Sequence, residues 1–213
     1  MTGTHIDRLR RRIAIACLLG IAALVAGAPL ARAGAESPRE VMKKTIDSAF
    51  AILKDPALTG RERRAQRIAE LRRVADRTFD WSELARSSLG VKWRNLDETQ
   101  RSRFVDVFKD VLAAQYMDDI DRFQGTETVT VDSVVAEGND DALVRTTLLT
   151  GSRERVPIDY RMRLIDGRWR VVDLSIEGIS LVNHFRKTFT AALVNLTIED
   201  LIIRLRRQLP AGR

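Results

Sequence analysis

The chain has 213 residues, with 36 lysines and arginines against 29 aspartates and glutamates, a formal net charge of +7, one cysteine and two histidines. Five arginines and one aspartate fall in residues 1–33, so the rest carries only +3, too mild a charge to demand a nucleic-acid partner. His5 and Cys17 fall there too, which leaves His184 alone beyond residue 33 and excludes the usual zinc, thiol and Cys/His nucleophile sites.

Arg8, Arg10, Arg11 and Arg12 precede an apolar run from Ile13 to Leu30 and then Ala31-Arg32-Ala33, the pattern of a secretory signal with cleavage near Ala33. An uncleaved anchor is the other reading, weakened by Gly20, Gly27 and Pro29. Cys17 lies inside the apolar run, so it is not a lipoprotein acceptor. Residues 1–33 are therefore expected to be a signal peptide and 34–213 a single exported, periplasmic domain. Without cysteine it has no disulfide and depends on a packed core.

Ser37-Pro38-Arg39-Glu40 is a capping box with proline at the first helical position, predicting a helix over about 38–54. Asp55-Pro56 breaks it, and Thr59-Gly60-Arg61-Glu62 offers a second capping box for a helix with Ala65, Ile68, Leu71 and Val74 on one face. That helix carries Arg61, Arg63, Arg64, Arg67, Arg72, Arg73 and Arg77, read either as a surface for anionic lipid or an acidic partner, or as a solvated face. A shorter helix over about 79–88 carries Phe79, Trp81 and Leu84, with Gly90 and Trp93 in its exit. From Asp97 the spacing of Phe104, Phe108, Leu112, Tyr116, Ile120 and Phe123 predicts the longest helix.

After Thr126 the period changes to two, giving strands over about 127–135, 142–150, 155–165 and 168–176, joined by hairpin-like connections. Helices over about 179–194 and, capped by Thr197, 198–208 close the chain. The fold class is α+β: N-terminal helices, a four-stranded antiparallel curved sheet and C-terminal helices. Such a sheet with helices laid across it makes a cone, which side chains can fill or a ligand can occupy.

The candidates for catalysis are few. His184 sits near a helix start, where a partly exposed histidine is the commoner fate. Asp118, Asp119 and Asp121 cluster late in the long helix and read as a solvated acidic patch rather than a metal site. Asp173 and Glu177 share a strand face, and salt bridges to Arg161 or Arg163 are the expected use of them. Asp159 lies on the face opposite Ile158 and Tyr160, as Asp173 lies opposite Leu174, which argues against an enzyme site in the cone. No catalytic residue, metal or cofactor is assigned.

The most distinctive stretch is Pro157 to Ser180: Ile158, Tyr160, Met162 and Leu164 alternate with polar residues, Asp166-Gly167 turns, and Trp169 to Ile176 returns to Glu177-Gly178. The Tyr160-x-Met162 strand, Gly167-x-Trp169, and Asp173-x-x-x-Glu177-Gly178-Ile179-Ser180 leading into a helix resemble the MlaC family of periplasmic lipid carriers, also known as toluene-tolerance auxiliary proteins. Leu96-Asp97-Glu98-Thr99-Gln100-Arg101, opening the long helix, matches as well, so the likeness runs from about 38 to 207.

The resemblance implies an apolar cavity in the cone that holds phospholipid acyl chains and leaves the headgroup outside. Its lining would come from Ile158, Tyr160, Met162 and Leu174 of the hairpin and Phe104, Phe108, Leu112 and Tyr116 of the long helix. Phe79, Trp81, Leu84, Leu89 and Trp93 would form a helical lid, with Ile179, Leu181 and Phe185 closing the far end. No headgroup ligand is nominated, because an exposed headgroup needs few specific contacts and Arg161, Arg168 and Lys92 could each neighbour it. The implied partners are an inner-membrane ABC transporter complex and an outer-membrane lipoprotein complex, served by a monomer. A hopanoid carrier and a non-lipid-binding exported adaptor with a filled cone are the alternatives.

Overall fold

The computed structural model describes residues 36–117 and 123–209; the proposed signal peptide and the Asp118, Asp119 and Asp121 cluster lie outside them. Helix α1 (Pro38–Lys54) starts where the capping box requires: the Ser37 hydroxyl accepts from Glu40 N–H at 3.2 Å, and the Glu40 carboxylate accepts from Ser37 N–H at 2.8 Å. The second expected capping box is not used. Thr59 Oγ1 donates to Pro56 O at 2.8 Å, closing a short 3₁₀ turn (Pro56–Leu58), and α2 (Arg64–Thr78) begins without a side-chain cap.

Phe79 is extended rather than helical. It forms a parallel bridge to Val171, and Asp80 N–H donates to Val171 O at 2.9 Å, so this dipeptide covers part of an otherwise open strand edge. The Asp80 carboxylate then accepts from Glu83 N–H at 2.8 Å and starts α3 (Trp81–Leu89). Gly90 adopts φ 59°, ψ −131°, a conformation that strains any other residue, and throws the chain into a second 3₁₀ turn (Gly90–Asn95). Asp97 Oδ1 accepts from Gln100 N–H at 2.8 Å at the head of α4 (Glu98–Met117). Phe123, expected on that helix, follows it and packs edge-on against Phe50, with ring centroids 6.1 Å apart.

Five strands among the described residues form one antiparallel sheet in sequential order: β1 (Thr128–Ala136), β2 (Asp141–Leu149), β3 (Arg155–Ile165), β4 (Arg168–Ile176) and β5 (Ile179–Ser180). The four expected strands are present, and the fifth is the two-residue β5. It arises because Glu177 (φ 50°) and Gly178 (φ 80°) make a tight left-handed turn like that of Asp166 (φ 49°) and Gly167 (φ 75°), which returns the chain to the sheet for two residues. Bulges between Val131 and Ser133 and opposite Arg161 and Met162 break the register; the second leaves Val171 and Val172 both buried.

Helix α5 (Leu181–Ala192) follows at once, and α6 (Ile198–Arg206) opens on a capping box of Thr197 and Asp200. Asp173 does not pair with Arg161 or Arg163. Its carboxylate accepts from Ser180 Oγ at 2.6 Å, Val182 N–H at 3.1 Å and Leu174 N–H at 2.8 Å, because the head of α5 presents free N–H groups directly above it. Arg161 pairs instead with Glu137, and Arg163 with Asp141 at 2.8 Å and Glu83 at 3.6 Å.

The core lies between one sheet face and the helices. Val144 and Leu148 of β2, Val156, Ile158, Tyr160 and Met162 of β3, and Val171, Leu174 and Ile176 of β4 supply the sheet side. Met42, Ile46, Leu71, Leu84, Leu89, Phe104, Phe108, Phe185, Phe189 and Ile202 close it from the helices. Membrane-spanning length is absent: no helix among the described residues is long and apolar enough to cross a bilayer.

Candidate functional site

Most of the residues expected to line a cavity meet in this interior. Leu84, Leu89, Phe104, Phe108, Leu112, Ile158, Tyr160, Met162, Leu174, Leu181 and Phe185 are all buried in the one core cluster. Phe79, Trp81 and Trp93 are half-buried against its margin, Phe79 and Trp81 stacked at 5.2 Å. Ile179 does not join them: in β5 it is 47% exposed, because the Glu177-Gly178 turn carries it to the sheet edge. The Tyr116 side chain lies outside the described residues.

The centre of the interior is aromatic. Phe104 and Phe108, one helical turn apart on α4, stack at 5.7 Å. Phe185 and Phe189, also one turn apart on α5, meet Phe108 edge-on at 4.9 and 5.6 Å, and Phe189 meets Phe104 at 5.5 Å. Phe189 was not among the expected lining residues; its i+4 spacing from Phe185 was the signal for it.

Two grooves flank the seam between α3 and α5, where Arg186 Nε of α5 donates to Ser87 O of α3 at 2.8 Å. The first, about 420 Å³, lies on the sheet face turned away from the core and mixes Glu83, Asp159 and Asp173 with Arg161, Arg163 and Arg186. The second, about 500 Å³, runs along the Gly90–Asn95 turn and is lined by Leu89, Val91, Trp93 and Thr190 together with Arg86, Lys92, Arg94 and Arg186. Leu89 connects it to the interior, since it lines the groove and is also a buried member of the core. Arg101 holds Trp93 in place, with its guanidinium 5.6 Å from the ring centroid.

The first groove has the polar residues a hydrolase would use but not their arrangement. Ser180 Oγ is committed to Asp173 and also accepts from Asn183 N–H at 3.1 Å to cap α5. The His184 ring makes an edge contact with Phe185 at 5.3 Å, and His184 is not among the groove residues. Among the described residues no group of three His, Cys, Asp or Glu is placed to hold a metal ion.

The sequence model of the MlaC protein family matches residues 43–207, which includes every helix and strand described here except the first turns of α1. The chain belongs to the MlaC family. Toluene tolerance protein Ttg2D of Pseudomonas putida is 25% identical to it over 175 residues, covering 82% of this chain and 81% of that protein. Among solved structures, the phospholipid-binding protein of Ralstonia solanacearum in complex with a phospholipid superposes with a TM-score of 0.70 at 22% identity. That alignment spans 81% of this chain and 96% of the other, so the two share a fold. In this MlaC-family chain the two layers are the sequential sheet and the helices that include the Phe-rich α4 and α5, with a seam at Ser87 and Arg186.

Proposed function

We propose that this protein is a periplasmic lipid carrier that holds the acyl chains of a phospholipid between sheet and helices and shuttles it between an inner-membrane ABC transporter complex and an outer-membrane lipoprotein complex. The observation that carries the reading is the interior itself. Family membership extends over both layers, and apolar side chains from Phe104 to Leu174 face one another between them. The fold shared with a protein solved holding a phospholipid supports the same reading.

Burial of one methylene is worth about 0.8 kcal/mol, so a 16-carbon chain forfeits on the order of 12 kcal/mol on entering water. A carrier must replace that environment throughout the crossing. Here the aromatic side chains of the interior would turn aside as α3 and α5 part along their seam. Ring contacts across α4 and α5 are individually weak, worth about 0.5–1.5 kcal/mol each beyond their area, so acyl chains of similar apolarity can replace them. Residues 1–33 would be the export signal that places the carrier in the periplasm.

Uptake from vesicles tests this. Protein incubated with phosphatidylglycerol vesicles and re-isolated should carry phospholipid, and a Phe108→Arg substitution, which sets a charge among the rings, should abolish uptake. A folded wild-type protein that takes up no lipid from vesicles contradicts the carrier reading.

A further inference from the structure

The two grooves beside the α3–α5 seam differ in charge. In the first, three carboxylates face three guanidinium groups. The second contains four cations, Arg86, Lys92, Arg94 and Arg186, and no acidic side chain in its wall. Only Arg86 is neutralised, by Glu83 at 2.6 Å. Lys92, Arg94 and Arg186 have no carboxylate partner among the described residues.

Arg186 is prepared rather than merely present. Its Nε donation to Ser87 O fixes the guanidinium, while its two terminal nitrogens make no hydrogen bond among the described residues. A guanidinium anchored through Nε leaves its two terminal nitrogens as a fork that matches the paired oxygens of a phosphate. Lys92 and Arg94 line the same groove from a turn whose direction Gly90 sets by its positive φ. The remaining wall is apolar: Val91 is 76% exposed and Trp93 is pinned by Arg101. Leu89 forms the link from this wall into the core.

The geometry points to this groove as a phosphate subsite that holds the phosphodiester of a glycerophospholipid whose acyl chains enter the interior past Leu89 and Trp93. The inference rests on the carrier reading above and adds to it that cargo is selected by its headgroup charge. Arg186 supplies the paired donors and Lys92 and Arg94 the long-range attraction. The electroneutral groove on the far side of Ser87 has no such preference to offer.

The test is competitive uptake by the full chain, purified without detergent, from vesicles that contain phosphatidylglycerol and a diacylglycerol with the same acyl chains. Wild-type protein should favour phosphatidylglycerol. Lys92→Gln with Arg94→Gln, both exposed and without a carboxylate partner among the described residues, should cut that preference about thirtyfold, in line with roughly a factor of five per surface cation, while diacylglycerol uptake stays unchanged. Arg186→Gln should deepen the loss, with a thermal melt confirming that the chain still folds.

An undiminished preference in the folded double variant overturns the subsite. Inorganic phosphate is the other source of the same chemistry. If its addition perturbs Trp93 fluorescence and Lys92→Gln with Arg94→Gln removes that response but leaves lipid preference intact, the groove belongs to a free anion and the lipid assignment is overturned. Wild-type uptake of both lipids without preference refutes the subsite alone, whereas uptake of neither refutes the carrier reading as well.

Discussion

Asp173 shows how one carboxylate can tie two layers together. It accepts from Val182 N–H in the first turn of α5 and from the Ser180 hydroxyl while standing on β4, so it helps to fix the angle at which the Phe185 and Phe189 face meets the sheet. Asp173→Ala leaves those donors unpaired and should destabilise the fold by about 1–3 kcal/mol in urea unfolding. The sequence placed Asp173 on the polar face of its strand correctly but could not say which donors would reach it, because α5 returns over β4 only in three dimensions. Ser88 offers the opposite case. Its hydroxyl is fully buried and makes no hydrogen bond among the described residues, so Ser88→Ala should raise stability by about 1 kcal/mol by the same measurement. Phe108, in ring contact with Phe104, Phe185 and Phe189, should cost about 3–5 kcal/mol when cut to alanine.

At the scale of elements, those written by local chemistry were legible. Helix α1 begins at Pro38 and ends at Lys54 because Ser37, Pro38 and Asp55-Pro56 state both ends. Strands β3 and β4 run from 155 to 165 and from 168 to 176 because alternation and an Asp-Gly turn admit one register. Ambiguity entered where one side chain could serve two local uses. Thr59 could cap a helix or close a turn, and the turn won. Phe79 could extend α3 or pair with a strand, and the free edge at Val171 claimed it. The last helix depends on a cap that titrates: hydrogen bonds from Thr197 hold the Asp200 carboxyl below the usual carboxylate range. A lowered pKa means this support is present above the ordinary carboxylate pKa and lost as pH falls through the lower folded value. Amide hydrogen exchange at matched intrinsic rates should therefore show α6 opening before the sheet on acidification, an order that Asp200→Asn should reproduce at neutral pH.

For the whole molecule, the candidate site was readable as a pattern and not as a place. Alternation and i+4 spacing located Tyr160, Met162, Leu174, Phe104, Phe108 and Phe185 on faces that turned toward one interior. The basic groove was harder to see. The sequence named Lys92 only alongside Arg161 and Arg168, whereas Arg186 joins Lys92 from 94 residues away through the packing of α3 on α5. The arrangement accounts for the proposed task in one structure: an apolar interior closed by exchangeable side chains, a seam held by the Arg186 to Ser87 hydrogen bond, and a charged mouth outside it. Gly90 ties the mouth to the seam. Gly90→Val should cost about 1–3 kcal/mol through its positive φ and weaken lipid uptake more than the melt alone explains, because the Lys92 and Trp93 turn is redirected.

The carrier reading is tested most directly by native mass spectrometry of the protein purified without detergent, followed by solvent extraction and identification of what leaves it. The structure and family together predict a stoichiometric phospholipid adduct that dissociates on activation and is recovered in the extract. A protein mass without adduct, unchanged after incubation with phospholipid vesicles, would contradict it and leave the packed interior as an end in itself.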